Sequence, residues 1–274
     1  MIDNREAPDH ATRPGAGAPH NTAGRVSRAG WLRHEPAAAA THLVCLPHAG
    51  AGASSFTRWL GLFPATISAV RVQLPGREDA AGQPPLRRVQ EAVDGLLPQL
   101  RHLHPIALYG HSMGALVAFE LARAMESAGT PPVHLFVSGR RAPYLPARRV
   151  PIHHLPQHEF AAALNAMGMG GTTQGSAAFL RYALPLIQAD LELSEEYEFR
   201  PQPRLRCPVT AFYGTEDPVV DADQVEAWRA VTTGSFALHT FAGDHFFHQR
   251  NRVSIVATMA SALEYGAGRG RPAG

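Results

Sequence analysis

Residues 105–129 read PIALYGHSMGALVAFELARAMESAG. An apolar run from Pro105 to Tyr109 meets Gly110-His111-Ser112-Met113-Gly114, and a segment of helical period follows that Gly129 can terminate. A serine set between two glycines at a strand-to-helix junction is the pattern of a nucleophile elbow. Such a turn holds the serine in a strained backbone conformation. Its flanking positions crowd the neighbouring strand and helix, so they must be small. The hydroxyl is then presented at the carboxyl end of a sheet, where ligands bind in open α/β folds. The N-terminus of the following helix faces the same place and favours a developing negative charge.

Working outward, short apolar runs alternate with helical patterns. THLVCLP, ISAVRVQLPG, PIALYG, VHLFVSG, PVTAFYG and FALHTFAG read as strands. SSFTRWLGLF, LRRVQEAVDGLLPQLRHL, GALVAFELARAMESAG, DQVEAWRAV and RVSIVATMASALEY read as helices. This alternation, with continuously apolar strands, predicts an α/β fold with a mostly parallel sheet covered on both faces. From about 151 to 199 no strand pattern occurs. EFAAALNAMGMGG and FLRYALPLIQADLELSEEY read as helices joined by a flexible GGTTQGS. The block lies between two sheet strands and is read as a helical lid insertion. Its apolar residues cover more than one helical face, so Leu180, Leu184 and Ile187 serve either ordinary packing or an acyl pocket beneath the lid.

A serine needs a base, and the elbow predicts the chain order Ser, Asp or Glu, His. YGTEDP places Glu216 and Asp217 just after one strand, and GDHFFHQ places His245 and His248 just after the next. Asp217 and His245 are the candidates, with Glu216 the rival acid. Asp221 and Asp223 read as the start of a helix. Asp244 adjoins His245, and sequence neighbours orient each other's rings poorly. His248 reads as the start of the final helix, and His239 lies inside a strand. An oxyanion hole requires the N–H of Met113, the residue after the serine, and one donor from an early loop. LPHAGAGASSF follows the first strand and offers the Ala49 N–H. The same Gly50-Ala51-Gly52 resembles half of a dinucleotide site. That site needs an acid at the end of the second strand, where Val72-Gln73-Leu74-Pro75 has none.

The chain has 274 residues, 45% hydrophobic and 18% charged, enough to bury a sizeable core. All 25 basic residues are arginine, which excludes a Schiff-base lysine, a Ser-Lys dyad and a Walker-type P-loop. A formal net charge of +2 gives no argument for nucleic acid, and no apolar run is long enough to span a membrane. No metal-ligand spacing stands out. Cys45 and Cys207 flank strand-like runs and form no disulfide framework, which points to a reduced, cytoplasmic protein. Residues 1–28 read as a disordered tail, 29–266 as the folded domain and 267–274 as a second tail.

LVCLPHAGAGASSF, VQLPGRE, YGHSMGALVAFELA, VSGRRAP, YGTEDP and GDHFFH occur in that order. Together they resemble the type II thioesterases that accompany polyketide synthases and nonribosomal peptide synthetases. The resemblance runs from about Trp31 to the final helix. It implies an α/β-hydrolase fold with a helical lid. It also implies hydrolysis of aberrant or stalled acyl groups on the phosphopantetheine arm of acyl or peptidyl carrier proteins; the triad chemistry itself needs no cofactor. Matched residue by residue, it implies Ser112 as nucleophile, His245 as base, Asp217 as acid, and Ala49 and Met113 as oxyanion donors. One departure is Gly50-Ala51-Gly52, where the family often has two adjacent glycines. Arg140, Arg141, Arg148 and Arg149 are either solvated surface charge or contacts to a phosphate or an acidic carrier, and Arg77 stands under the same alternative. A general carboxylester hydrolase, an acyltransferase and a non-catalytic binding module are the competing readings.

Overall fold

The computed structural model describes residues 30–34, 39–167 and 177–269. The expected tail over 1–28, most of that over 267–274 and the GGTTQGS stretch at 170–176 lie outside the described residues. Among those described, seven strands form one sheet. They are β1 (Leu32–Arg33), β2 (Thr41–Leu46), β3 (Ile67–Val72), β4 (Ile106–His111), β5 (His134–Ser138), β6 (Val209–Gly214) and β7 (Phe236–Phe241). Their order is β1-β3-β2-β4-β5-β6-β7, and β1 alone runs antiparallel.

Alternation along each strand sorts the core to two faces. Val44, Leu46, Leu108 and Val137 face one way, and Leu43, Cys45, Tyr109 and Phe136 the other. Helices α1 (Val89–Leu100) and α2 (Met113–Ser127) cover the first face. Helix α7 (Arg252–Arg269) covers the second, with Phe56 and Trp59 from a 3-10 helix, Ala53–Trp59, where the sequence predicts an ordinary helix. α7 reaches three residues past the expected domain end at 266. β1 has no counterpart among the predicted strands, because two residues carry no period. It is anchored by Arg33, whose guanidinium bonds both oxygens of Asp79 at 2.9 and 3.1 Å.

Helices α3 (Gln157–Ala166) and α4 (Ala177–Glu195) occupy the insertion between β5 and β6. Between β6 and β7 stands a short α5 (Ala222–Glu226) followed by a 3-10 turn. Asp221 caps α5 in a capping box with Gln224. His248 does not open the final helix. It lies in a separate short α6 (Phe247–Arg250), with α7 starting at Arg252.

Candidate active site

The site is assembled at the carboxyl edge of β2, β4, β6 and β7. Ser112 joins β4 to α2 with φ 54° and ψ −114°, a conformation costing about 1–3 kcal/mol in a non-glycine residue. Its N–H donates to Ser138 O at 2.8 Å, which ties the turn to β5. The flanking glycines are sterically required. A Cβ on Gly110 would overlap the Gly114 carbonyl, and one on Gly114 would overlap the carbonyls of Leu46 and Pro47.

Asp217 stands on the loop after β6 and His245 on the loop after β7. Backbone bonds from Thr215 N to Phe241 O (2.9 Å) and from Glu216 N to Gly243 O (3.0 Å) lace these loops together. His245 Nδ1 lies 2.8 Å from Asp217 Oδ2, and His245 Nε2 lies 3.1 Å from Ser112 Oγ. With Nδ1–H donated to the carboxylate, Nε2 is left to accept from the serine hydroxyl. Asp217 is itself held by the Val219 N–H, which donates to Oδ1 at 2.7 Å. Asp217 and His245 are buried. Glu216 and Asp244 are exposed, and Asp244 accepts the Phe246 N–H at 2.9 Å.

Three further histidines surround His245. The ring of His111 lies 5.1 Å from that of His245 and 3.8 Å from that of His248, with His48 5.8 Å from His111. Burial drives each toward the neutral form. His48 is pushed down to about 3, and His111 and His248 fall well below the usual histidine value, helped by their mutual proximity. Neutral rings put no positive charge against an imidazolium forming at His245. His111 Nδ1 bonds Ser138 Oγ at 2.9 Å, which again joins β4 to β5.

A cavity of about 210 Å³ opens beside Ser112, and its lining includes Ala49, Met113, Met167, Leu191 and His245. Ala49 and Met113 therefore both border the space over the serine. Neither backbone N–H has an acceptor among the described residues. The apolar wall from α4 is Leu191. Leu180, Leu184 and Ile187 do not line this cavity: Leu184 and Ile187 belong to the main core, and Leu180 packs against it. Leu184, Ile187 and Leu191 follow one stripe of α4 turned to the main core, and of the three Leu191 alone also borders the cavity.

The arginines divide by burial. Arg140 is buried, donates to Ser194 Oγ and O at 2.6 and 3.2 Å, and is lowered to about 9, chiefly by burial. Arg141 is half-buried, while Arg148 and Arg149 are exposed on the cavity rim, Arg148 paired with Asp221. Arg77 is no surface group: it is 2% exposed and forms a two-pronged ion pair with the fully buried Asp190 at 2.7 Å for each bond. Nothing in the sequence singles out Asp190, one acid on an amphipathic helix. Nor does it separate His48, His111 and His248 from the chain's other histidines.

A serine, a histidine and a carboxylate bonded in series at the carboxyl edge of a parallel sheet, with the serine on a strained strand-to-helix turn, define a serine hydrolase of the α/β-hydrolase fold. Within that class the chain belongs to the thioesterase domain family, which it matches over residues 41–263. It is 37% identical over 230 residues to the gramicidin S biosynthesis protein GrsT of Aneurinibacillus migulanus, covering 82% of this chain and 90% of that one. To the thioesterase PikA5 of Streptomyces venezuelae it is 38% identical over 226 residues, 79% of each chain. Among solved structures it superimposes on the type II thioesterase BorB of the borrelidin biosynthetic cluster with a TM-score of 0.76. That pair is 38% identical and covers 85% of this chain and 96% of BorB. The protein is thus a thioesterase.

Proposed function

We propose that the protein is an editing thioesterase. Its substrates are acyl groups carried on the phosphopantetheine arm of carrier proteins in polyketide or nonribosomal peptide assembly, and it releases them through an acyl-serine. The observation that carries the reading is the unbroken line from Asp217 through His245 to Ser112. Ser112 Oγ attacks the thioester carbonyl carbon as His245 Nε2 takes its proton. The carbonyl oxygen becomes an oxyanion that accepts from the Ala49 and Met113 N–H groups, and Asp217 stabilises the imidazolium. The C–S bond then breaks. The departing sulfur, with a parent pKa near ~8.5, is a good leaving group and takes the proton from His245. Water next attacks the acyl carbon, gives a proton to His245, and frees Ser112 and a carboxylic acid. Protein side chains, two backbone amides and water supply every group in these steps.

The rim supports a carrier-borne substrate. Arg141, Arg148 and Arg149 border the cavity and suit the phosphate of the arm or the acidic surface of a carrier. The family relatives support the setting, since GrsT is named for gramicidin S biosynthesis and BorB for the borrelidin cluster. Among the described residues no helix is long and apolar enough to cross a membrane, and both cysteines are buried free thiols. Both facts are in keeping with a cytoplasmic site of action.

The test is release of acyl groups from a loaded carrier protein, wild type against Ser112→Ala, with an aryl ester run in parallel. Carrier deacylation that requires Ser112 is the expected result. Cleavage of the aryl ester alone would leave the hydrolase standing and overturn the carrier assignment. Transfer of the acyl group to an acceptor other than water would make the protein an acyltransferase.

A further inference from the structure

The loop that carries Ala49 is a tight turn. Ala51 N–H donates to His48 O at 3.1 Å, and Gly50 sits at φ +78° in the third position, as a type II turn requires. The central peptide of such a turn can flip to the type I arrangement, exchanging the direction of its N–H and C=O. Here that N–H belongs to Gly50, and it donates to Asp190 Oδ2 at 2.7 Å. Asp190 reaches it from α4, 140 residues away in the chain, and shows no exposed surface. Ile187, one turn earlier on the same helix, closes the other side: a Cβ on Gly50 would lie 2.7 Å from its Cγ1.

The carboxylate is itself immobilised. Arg77 Nη1 and Nη2 take one oxygen each, and the remaining guanidinium donors go to Ala51 O at 3.0 Å and Pro75 O at 3.3 Å. Every N–H of the buried cation has an acceptor, and both carboxylate oxygens are used. A buried ion pair of this kind is weak as a source of stability, because desolvation offsets the attraction. Its geometry, however, is specific: it fixes one oxygen against one backbone amide beside the catalytic serine.

We propose that Asp190 is a positioning residue for the thioester reaction: its carboxylate, locked by Arg77, holds the Ala49–Gly50 peptide in one orientation and so fixes the turn whose preceding peptide, His48–Ala49, carries the N–H that receives the oxyanion. The insertion helix that walls the acyl cavity thereby also sets the geometry of the oxyanion hole. The inference rests on the reading of Ala49 as a donor given under Proposed function. A displacement of about 1 Å at such a donor can cost about 10²-fold in rate.

The experiment uses the full-length protein, an octanoyl-pantetheine thioester, an alkyl trifluoromethyl ketone that forms a tetrahedral adduct with a serine, and the unreactive thioether analogue of the substrate. The variants are Arg77→Met/Asp190→Leu, which replaces the buried pair by apolar side chains, and Asp190→Asn. For the double variant we expect a lower thermal midpoint, because the Gly50 N–H and the Ala51 and Pro75 carbonyls lose their partners, with KM within about 3-fold and kcat lower by about 10²-fold. Ketone affinity should fall in parallel while thioether affinity holds. Asp190→Asn has one oxygen to divide between Arg77 and Gly50, and should lose about 10-fold in kcat with the same selective loss of ketone affinity. Equal loss of ketone and thioether binding, or a wild-type kcat and ketone affinity in Asp190→Asn, overturns the proposal whether or not the double variant folds. A wild-type enzyme that forms no adduct with the ketone at Ser112 would instead sink the acyl-serine reading itself.

Discussion

At the scale of single residues, burial and hydrogen bonding separate groups that are equivalent as letters. Glu216 and Asp217 are adjacent acids, and either could follow a strand in this fold. Asp217 alone is buried, bonded to His245 and steadied by a backbone N–H, while Glu216 projects to solvent. Asp217→Asn should therefore lower kcat by about 10⁴-fold with little change in folding, as when the imidazole is left in the wrong tautomer. Glu216→Ala should stay within about 3-fold of wild type, since exposed substitutions away from packed features cost little. Steady-state kinetics on one thioester checks both, and a severe Glu216→Ala would move the acid to that position. Ser112→Ala should abolish turnover and leave the thermal midpoint unchanged or higher, because alanine replaces a hydroxyl whose one partner among the described residues is His245. The candidate triad was legible at this scale because the elbow fixes the chain order of its members. Asp190 was not, because its partners Arg77 and Gly50 lie 113 and 140 residues away and no local pattern links them.

At the scale of elements, the junction of β4 and α2 depends on closeness rather than on attraction. Gly114 lies against the carbonyls that end β2, so Gly114→Ala must push α2 away from the sheet or shift Leu46 and Pro47. The expected cost is about 1–3 kcal/mol of stability, with a larger loss of activity because Ser112 and the Met113 N–H move with the helix. Urea unfolding together with kinetics checks this, and a variant that matched wild type in both would show that the packing there is slack. Strands and helices were legible wherever the period was sustained. α1, β4 and α2 fall where apolar spacing places them, whereas β1 has too few residues for any pattern. Ala53–Trp59 winds as a 3-10 helix and is pinned at its start. The Ala53 N–H donates to Gln73 Oε1 at 2.8 Å, and the Ser54 hydroxyl to Glu78 at 2.6 Å. Leu180, Leu184 and Ile187 could not be assigned to core or cavity from spacing, since a helix apolar on more than one face satisfies both until its neighbours are known.

At the scale of the whole molecule, buried histidines make stability depend on pH. His48, His111 and His248 near the site, and His134 stacked on Phe136 two residues along β5, are all held below the ordinary histidine value by burial, His48 at about 3 and His134 at about 4. The neutral form is the one the fold accepts. Below about pH 6.5 the unfolded chain takes up protons that the folded chain refuses, so folding stability falls as pH falls and is fully present above that value. Each such histidine contributes a slope of up to about 1.4 kcal/mol per pH unit between about 6.5 and its folded value. Urea midpoints between pH 7.5 and 5 should drop steeply, and His134→Gln should flatten the curve without changing activity at neutral pH. A midpoint constant over that range would contradict the neutral cluster.

Whether Ser112 carries the acyl group is decided by rapid-quench mass spectrometry of the enzyme mixed with an acyl-loaded carrier protein. A transient mass increase of one acyl group is expected, located on the peptide containing Ser112, formed faster than free acid and absent in Ser112→Ala. Free acid appearing with no acylated Ser112 at any time, or the acyl mass on another residue, would contradict it.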